Sequence, residues 1–462
     1  MALSCLLGKH STRHRIGNIL LAGFLVAAAG LLSPARAQPT PDSWHLQFVN
    51  KCPDPVRIGV NGGAVTTGTD SATLACGVVD PSNAQSCPAG SHCKMENGTA
   101  SGCYWGQLRF SGPGYLPPGV TLTEYYYFPA YNNIRWSGNV YAGGQCSFET
   151  NSCKTGVCAT SENGHTIVGP CPFGVGPVGP TTLAEFTLLE KGVDAYDISI
   201  INGMNIPISM EPIAAAEAMV NATAGGGAGA ANPYYCGAAG AASQPAGSTL
   251  TGCSWDFDPK VKLPGSQHKM DYSDLLSAVT PGGTACQPAG GTGPRCPTGE
   301  VCGRAFTPGT TTAPESCGKQ IGWWTADELC IVTNNGEGSP LDCSTTVTGQ
   351  GTRADLLGCT GSNAGSCYSA GAGSSCCGCP DWKVGGTDLP LAPGFSCQGT
   401  NPEWTSHSEP WAKVLKDACP TAYSFPYDDP TSSFTCSTDS TGASKNTMSY
   451  KITFCPDSKT GI

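Results

Sequence analysis

The sequence predicts a mainly β, disulfide-rich, exported protein, and three observations carry that reading. Several stretches alternate polar and apolar residues with β-branched and aromatic members, the period-2 signature of strands. The 462 residues include 27 cysteines. Charged residues are only 13%, against 62 glycines and 37 prolines, a composition that favours turns and loops.

The first 37 residues read as a secretory leader. Lys9, Arg13 and Arg15 precede the apolar run 19–32, and Ala35-Arg36-Ala37 offers a small-x-small cleavage site. A membrane anchor is the rival reading, but the run is shorter than the ~20 apolar residues a span needs. Cleavage would remove four basic residues (Lys9, Arg13, Arg15, Arg36) and no acids, leaving 20 basic against 34 acidic, a net charge of −14. Such a balance argues against nucleic acid and anionic membranes as partners. With Cys5 in the leader, 26 cysteines remain, enough for thirteen bridges in an oxidising compartment. The tightest cysteine group, Cys376-Cys377-Gly378-Cys379, has no histidine nearby, so bridges are favoured over a metal. No cofactor or metal is expected.

Residues 44–60 read as strand, turn and strand, the turn at Cys52-Pro53-Asp54-Pro55. Residues 61–118 read as a disulfide-tied insertion. Strand signals return at 119–128, 138–142, 181–189 and 195–201, and the chain closes on an alternating strand at 448–455. The run 212–247 is low-complexity Ala and Gly. From Cys236 to Cys397 the chain has fourteen cysteines in 162 residues and few apolar periods, so bridges rather than a large core should stabilise it. Short helices are expected at 326–331 and at 409–418, where Trp411, Val414 and Leu415 share a face. The strand carrying Cys52 and the strand carrying Cys455 are expected in one sheet.

Two carboxylates, Glu185 and Asp197, interrupt the strands at 181–201. Taken alone they are ordinary solvent-facing strand acids. The aromatic stretch 124–136 (Tyr125, Tyr126, Tyr127, Phe128, Tyr131, Trp136) offers rings for stacking on sugars, although alternation sends half of any such run into the core. Trp323 and Trp324 are read the same way.

Four blocks resemble the thaumatin-like family of secreted, pathogenesis-related proteins. They are FVNKC at 48–52, CSFETNSCKTGVC at 146–158, TTLAEFTL with YDISIINGMNIP at 181–207, and CPTAYSFPYDDPTSSFTC at 419–436 with YKITFCP at 450–456. The resemblance implies a flattened β-sandwich core domain (44–211 plus 437–462), an enlarged disulfide-rich second domain of loops and short helices (212–405), and a small third helix/loop domain (406–436). An acidic cleft is expected between the first two. It implies the bridges Cys52–Cys455, Cys146–Cys153, Cys158–Cys171 and Cys236–Cys436. The family's cleft acids fall on Glu185, Asp197 and Asp428. A fourth position is Asn202, and the cleft arginine falls near Gly143, with Arg135 the nearest basic residue upstream.

By this resemblance the protein is a secreted monomer, extracellular or periplasmic, that binds β-1,3-glucan or a related polysaccharide through Glu185, Asp197, Asn202 and Asp428, in a defence or antifungal setting. The alternatives are an endo-β-1,3-glucanase with Glu185 as catalytic acid, and a module that binds protein or inhibits a foreign hydrolase. Asn202 weakens the enzyme reading, because an amide cannot act as base or nucleophile in glycoside hydrolysis.

Overall fold

The computed structural model describes residues 44–462 apart from 67–72, 77–86, 97–98, 107, 111–113, 163–164, 169–170, 172–174, 191, 214–231, 258–275, 287–295, 308–311, 333–340, 342 and 437–448. The leader at 1–37 and the centre of the Ala/Gly run at 214–231 lie outside the described residues.

Two sheets face each other. The first has the order β7 (Ile208–Pro212), β10 (Tyr450–Phe454), β1 (Trp44–Asn50), β3 (Thr121–Tyr126). β1 and β10 run parallel, Phe48 opposite Ile452, and join the two ends of the described chain in one sheet. The second sheet runs β8 (Ala422–Tyr423), β6 (Asp194–Ser199), β5 (Leu183–Leu189), β4 (Ile134–Gly143), β2 (Val56–Gly62) and the short strand Tyr115–Leu116, with β9 (Phe434–Cys436) also on β6. Alternate residues of both sheets point inward and share one core: Leu46, Phe48, Ile452 and Phe454 from the first, Ile58, Val60, Val140, Phe186 and Ile198 from the second. Tyr450 spans the gap, 5.1 Å from Tyr196 and 6.4 Å from Phe186 between ring centroids.

The same pattern buries one acid. Asp194 sits on the inward face of β6 at 2% exposure, where it accepts from Leu189 N at 2.8 Å and the Tyr450 hydroxyl at 3.0 Å. Burial pushes its pKa up to about 7, against the opposing pull of those two donors and of Arg135. A carboxyl whose folded pKa lies above its unfolded value stabilises the fold in acid, and that contribution is lost as pH rises from about 4 to about 7. Asp194→Asn keeps an acceptor and removes the titration. Its melting temperature should therefore gain on the wild type steadily between pH 4 and pH 8, by an amount corresponding to roughly 4 kcal/mol at full ionisation. A constant difference across that range would refute the assignment.

Thirteen disulfides join the described residues, among them Cys52–Cys455, Cys146–Cys153, Cys158–Cys171 and Cys236–Cys436. Two further groups share one pattern. Cys87-Pro-Ala-Gly-Ser-His-Cys93 and Cys296-Pro-Thr-Gly-Glu-Val-Cys302 have the same spacing. Each makes the same turn, with Ser91 N on Pro88 O and Glu300 N on Pro297 O, and Gly90 and Gly299 at φ +87° and +86°, a conformation that favours glycine. Each opens a hairpin crossed by interleaved bridges, Cys76–Cys93 with Cys87–Cys103, and Cys286–Cys302 with Cys296–Cys317. One disulfide-hairpin motif thus occurs once in each insertion.

The short helices α1 (Ala326–Val332), α2 (Arg353–Leu357), α3 (Pro402–His407), α4 (Glu409–Ala418) and α5 (Asp429–Ser432) lie in the C-terminal half. The expectation that 236–397 lacks a core needs correcting. Trp255, Phe257, Trp323, Trp324 and Leu329 of that stretch are buried in the same cluster as the sandwich core, and Trp382 and Trp404 close a smaller one with Phe425. The apolar residues there are few but large, so widely spaced tryptophans fill the interior without any periodic pattern. The described residues pack as one compact unit.

Candidate functional site

On the outward face of the second sheet the ladders align four polar residues. Asn61 of β2 lies opposite Asn139 of β4, Asn139 opposite Glu185 of β5, and Glu185 opposite Asp197 of β6. Their neighbours along each strand are core residues, so period-2 alternation forces all four outward. Side chains directly opposite on adjacent strands stand about 4.5–5.5 Å apart at Cβ. The row lies along an open cavity of about 300 Å³, whose lining includes Gly63, Ser137, Asn139, Glu185, Thr187 and Asp197.

Burial raises the Glu185 pKa, partly offset by the Asn139 amide that donates to it. Asp197 is pushed well above the usual carboxylate range, first by burial, then by the charge of Glu185, then by Asp429. Two like charges facing each other across a ladder repel, so the pair favours holding a proton. Asp197 Oδ1, Asn139 Oδ1 and Asn61 Oδ1 are shut off from solvent and have no hydrogen-bond partner. The wall is therefore rich in acceptors that want donors.

Asp428 does not belong to this wall, which corrects the sequence expectation. It is 1% exposed. Its Oδ2 takes Lys416 Nζ at 2.8 Å, Ser424 N and Ser424 Oγ, and its Oδ1 takes Trp382 Nε1 and Thr431 Oγ1. The acid whose charge acts on Asp197 is its neighbour. Asp429 is half-buried, accepts the Tyr423 hydroxyl at 3.0 Å, and acts electrostatically on Asp197. Tyr423 is paired through its backbone with Ser199, two residues beyond Asp197. Burial and the charges of Asp197 and Asp429 hold its hydroxyl far above its ordinary pKa, so it stays a donor.

Asn202 also stands apart. Its carbonyl accepts Thr181 N at 2.9 Å, and Thr181 precedes Glu185 by four residues, on the order of 13 Å along an extended strand. A carboxylate from the disulfide-rich region lies beside it: a Cβ added at Gly179 would meet Asn202 O at 2.8 Å and Glu328 Oε2 at 2.9 Å. Glu328 belongs to α1, whose preceding Thr325 hydroxyl donates to Ile201 O at 2.9 Å. Burial, then Asp327, raise its pKa to about 7. Arg135 is 4% exposed and acts on Asp194, so it does not replace the missing groove arginine.

The aromatic stretch turns away from the groove. Trp136 and Tyr126 are core, while Tyr125 and Tyr127 are exposed on or just beyond β3 of the other sheet. Trp323 and Trp324 are buried. Tyr368 feels the charges of this region, its hydroxyl pKa being raised first by burial and then by Asp428, Asp429 and Glu409. Phe395 meets it edge-on at 6.2 Å.

Residues 105–301 match the model of the thaumatin family. That stretch is a thaumatin-family domain. The thaumatin-like chain is 36% identical over 112 residues to pathogenesis-related thaumatin-like protein 3.5 of Cryptomeria japonica, covering 23% of this chain and 42% of that one. It is 23% identical over 366 residues to pathogenesis-related protein 5 of Arabidopsis thaliana, covering 78% and 89%. It is 33% identical over 97 residues to a protein of Prunus avium named glucan endo-1,3-beta-glucosidase, covering 20% and 37%. The chain thus spans about two-fifths of the first of these relatives. Among the described residues no helix is long and apolar enough to cross a membrane.

Proposed function

We propose that this thaumatin-like protein is exported and binds β-1,3-glucan or a related polysaccharide in the groove formed by Asn61, Asn139, Glu185, Asp197 and Asp429, in a defence setting. One observation carries the reading: an outward row of amide and carboxylate side chains, Asn139, Glu185 and Asp197, that lines an open cavity. Sugar hydroxyls are donors, and they reach such a row from an open cavity without bringing a charge.

The enzyme reading draws on the name of the Prunus avium relative and on the raised pKa of Glu185. Against it, Glu185 and Asp197 stand side by side on one wall, whereas glycoside hydrolysis places its two carboxyls on either side of the scissile bond. Binding is the better use of this geometry.

Retention on insoluble β-1,3-glucan tests the proposal. Hydrogen bonds to charged groups contribute about 1.5–3 kcal/mol, so Asp197→Ala should weaken retention by roughly tenfold to a hundredfold. Equal retention of the variant would move the site elsewhere, and no retention of the wild type would leave protein binding as the better reading. Release of reducing ends that disappears in Glu185→Gln would promote the enzyme.

A further inference from the structure

We infer that a second, smaller cavity binds one hydroxyl or hydroxymethyl group of an uncharged sugar, through Trp404 and Ser408 on its inner wall and Asp327 on another. These residues are separate from the groove at Glu185 and Asp197, and only the choice of a glucan as the sugar rests on that reading.

The cavity has a volume of about 30 Å³ and forms where the turn after β6 meets α1 and the consecutive helices α3 and α4. Its lining includes Ile201, Asp327, Trp404, Ser408, Trp411 and Phe425. It exceeds the roughly 10–15 Å³ that one water needs, so it takes a single polar group and not a whole sugar ring. Its inner wall is helical. Trp404 and Ser408 lie four residues apart, one turn, and therefore share a face. The backbone holds that turn, with Ser408 N donating to Trp404 O at 2.8 Å and Ala412 N to Ser408 O at 3.1 Å.

Trp404 is 0% exposed and Ser408 3%. Trp404 Nε1 and Ser408 Oγ are both shut off from solvent and have no hydrogen-bond partner. Buried polar atoms are costly to leave unsatisfied, and here two of them belong to one face that lines one cavity. The first is a donor, and the second can donate or accept. Asp327 is half-buried, and burial raises its pKa to about 6, so at pH 7 it is mostly an acceptor. The rings of Trp404 and Phe425, 4.9 Å apart between centroids, and the half-buried Trp411 supply apolar walls.

This set discriminates among ligands. An ammonium would suit Asp327 and the rings, but it has no lone pair for the Trp404 N–H. An anion could accept from that N–H and from Ser408, but it would meet the Asp327 carboxylate. A hydroxyl accepts and donates at once and brings no charge. The carbon that carries it packs against the rings, as pockets with apolar walls and a few convergent polar groups require. Water matches the polar atoms and leaves the rings without a partner.

Titration of the protein with a trimer of β-1,3-linked glucose should shift the Trp404 indole N–H resonance, identified by its absence in Trp404→Phe, along a saturable curve. Ser408→Ala should weaken binding by about twofold to twelvefold, the value of one neutral hydrogen bond. Ser406→Ala, an exposed neighbour on α3, should bind as the wild type does. Ser408→Ala removes a single oxygen and keeps the test decisive if Trp404→Phe does not fold. No shift with the trimer overturns the inference and leaves water as the occupant. An equal shift with methylammonium chloride, or unchanged affinity in Ser408→Ala, overturns it too. Retention on insoluble glucan separates the two sites. Retention without an indole shift sinks the cavity and leaves the groove. A saturable shift that persists in Asp197→Ala, with no wild-type retention, sinks the groove and leaves the cavity.

Discussion

Lys416→Met is expected to destabilise the protein by about 3–5 kcal/mol, the usual cost of removing one partner from a buried ion pair. Lys416 is 0% exposed and its ammonium donates to Asp428 Oδ2 at 2.8 Å, Ser432 Oγ at 2.7 Å and Ala422 O at 3.2 Å. Burial lowers its pKa, and the Asp428 charge opposes that. Methionine fills the same space and leaves Asp428 ionised in the interior with neutral donors only. The penalty therefore lies in the stranded charge more than in the lost bond. Adding Asp428→Asn removes the charge, so the double variant should recover at least half of the loss in a urea melt. A single variant within 1 kcal/mol of wild type, or a double variant worse than the single, would show that the pair is not the tie described here.

The pair matters to the groove because of what it brackets. Ala422 and Ser432 are both acceptors of the one ammonium, and Tyr423 and Asp429 lie between them in sequence. Asp428 faces in and Asp429 faces out because they are neighbours at the start of a helix, about 100° apart around its axis. This is why the acid that acts on Asp197 was legible as a pair, Asp-Asp-Pro, but not as an individual. The choice depends on a lysine twelve residues away, and Lys416 gives no sequence sign of being buried. On α4 it follows Val414 and Leu415 and reads as the polar edge of an amphipathic helix, yet it is enclosed while Trp411 is only half-buried.

Other parts of the site were legible in proportion to how local they are. Strand alternation at 181–201 places Glu185 and Asp197 outward, and the antiparallel connection between β5 and β6 brings them opposite each other. Asn61 and Asn139 carry the same alternation, but only the ladder order of β2, β4 and β5 shows that they complete the row, and strand order is a non-local property. The aromatic stretch was legible as half core, which Tyr126 and Trp136 satisfy. Which sheet it joins was not, and its exposed rings lie on the sheet away from the acids. Glu328 beside Asn202 depends on an insertion folding back onto the sandwich, a contact that no periodicity encodes. The repeated Cys-Pro-x-Gly-x-x-Cys turn, by contrast, is fully local: its recurring spacing at 87–93 and 296–302 stands in the sequence itself.

Removing the Cys52–Cys455 bridge by paired serine substitution should cost about 5 kcal/mol, against about 2 kcal/mol for Cys146–Cys153, if loop closure governs both. The two bridges span 403 and 7 residues. In the unfolded chain the first restrains nearly the whole polypeptide, and the logarithm of loop length sets the difference. The native state adds a reason for the ranking. Cys52 lies just past the end of β1 and Cys455 just past the end of β10, two parallel strands at the centre of their sheet. Parallel neighbours so far apart in sequence must meet across the longest loop the chain can make, and the bridge holds them at the register that sets Phe48 against Ile452. Guanidinium midpoints of the two double variants, measured with the other bridges intact, test the ranking. A smaller loss for Cys52/Cys455 than for Cys146/Cys153 would mean that the unfolded chain keeps its ends together without the bond, and that the sandwich is closed by its core and not by its covalent tie.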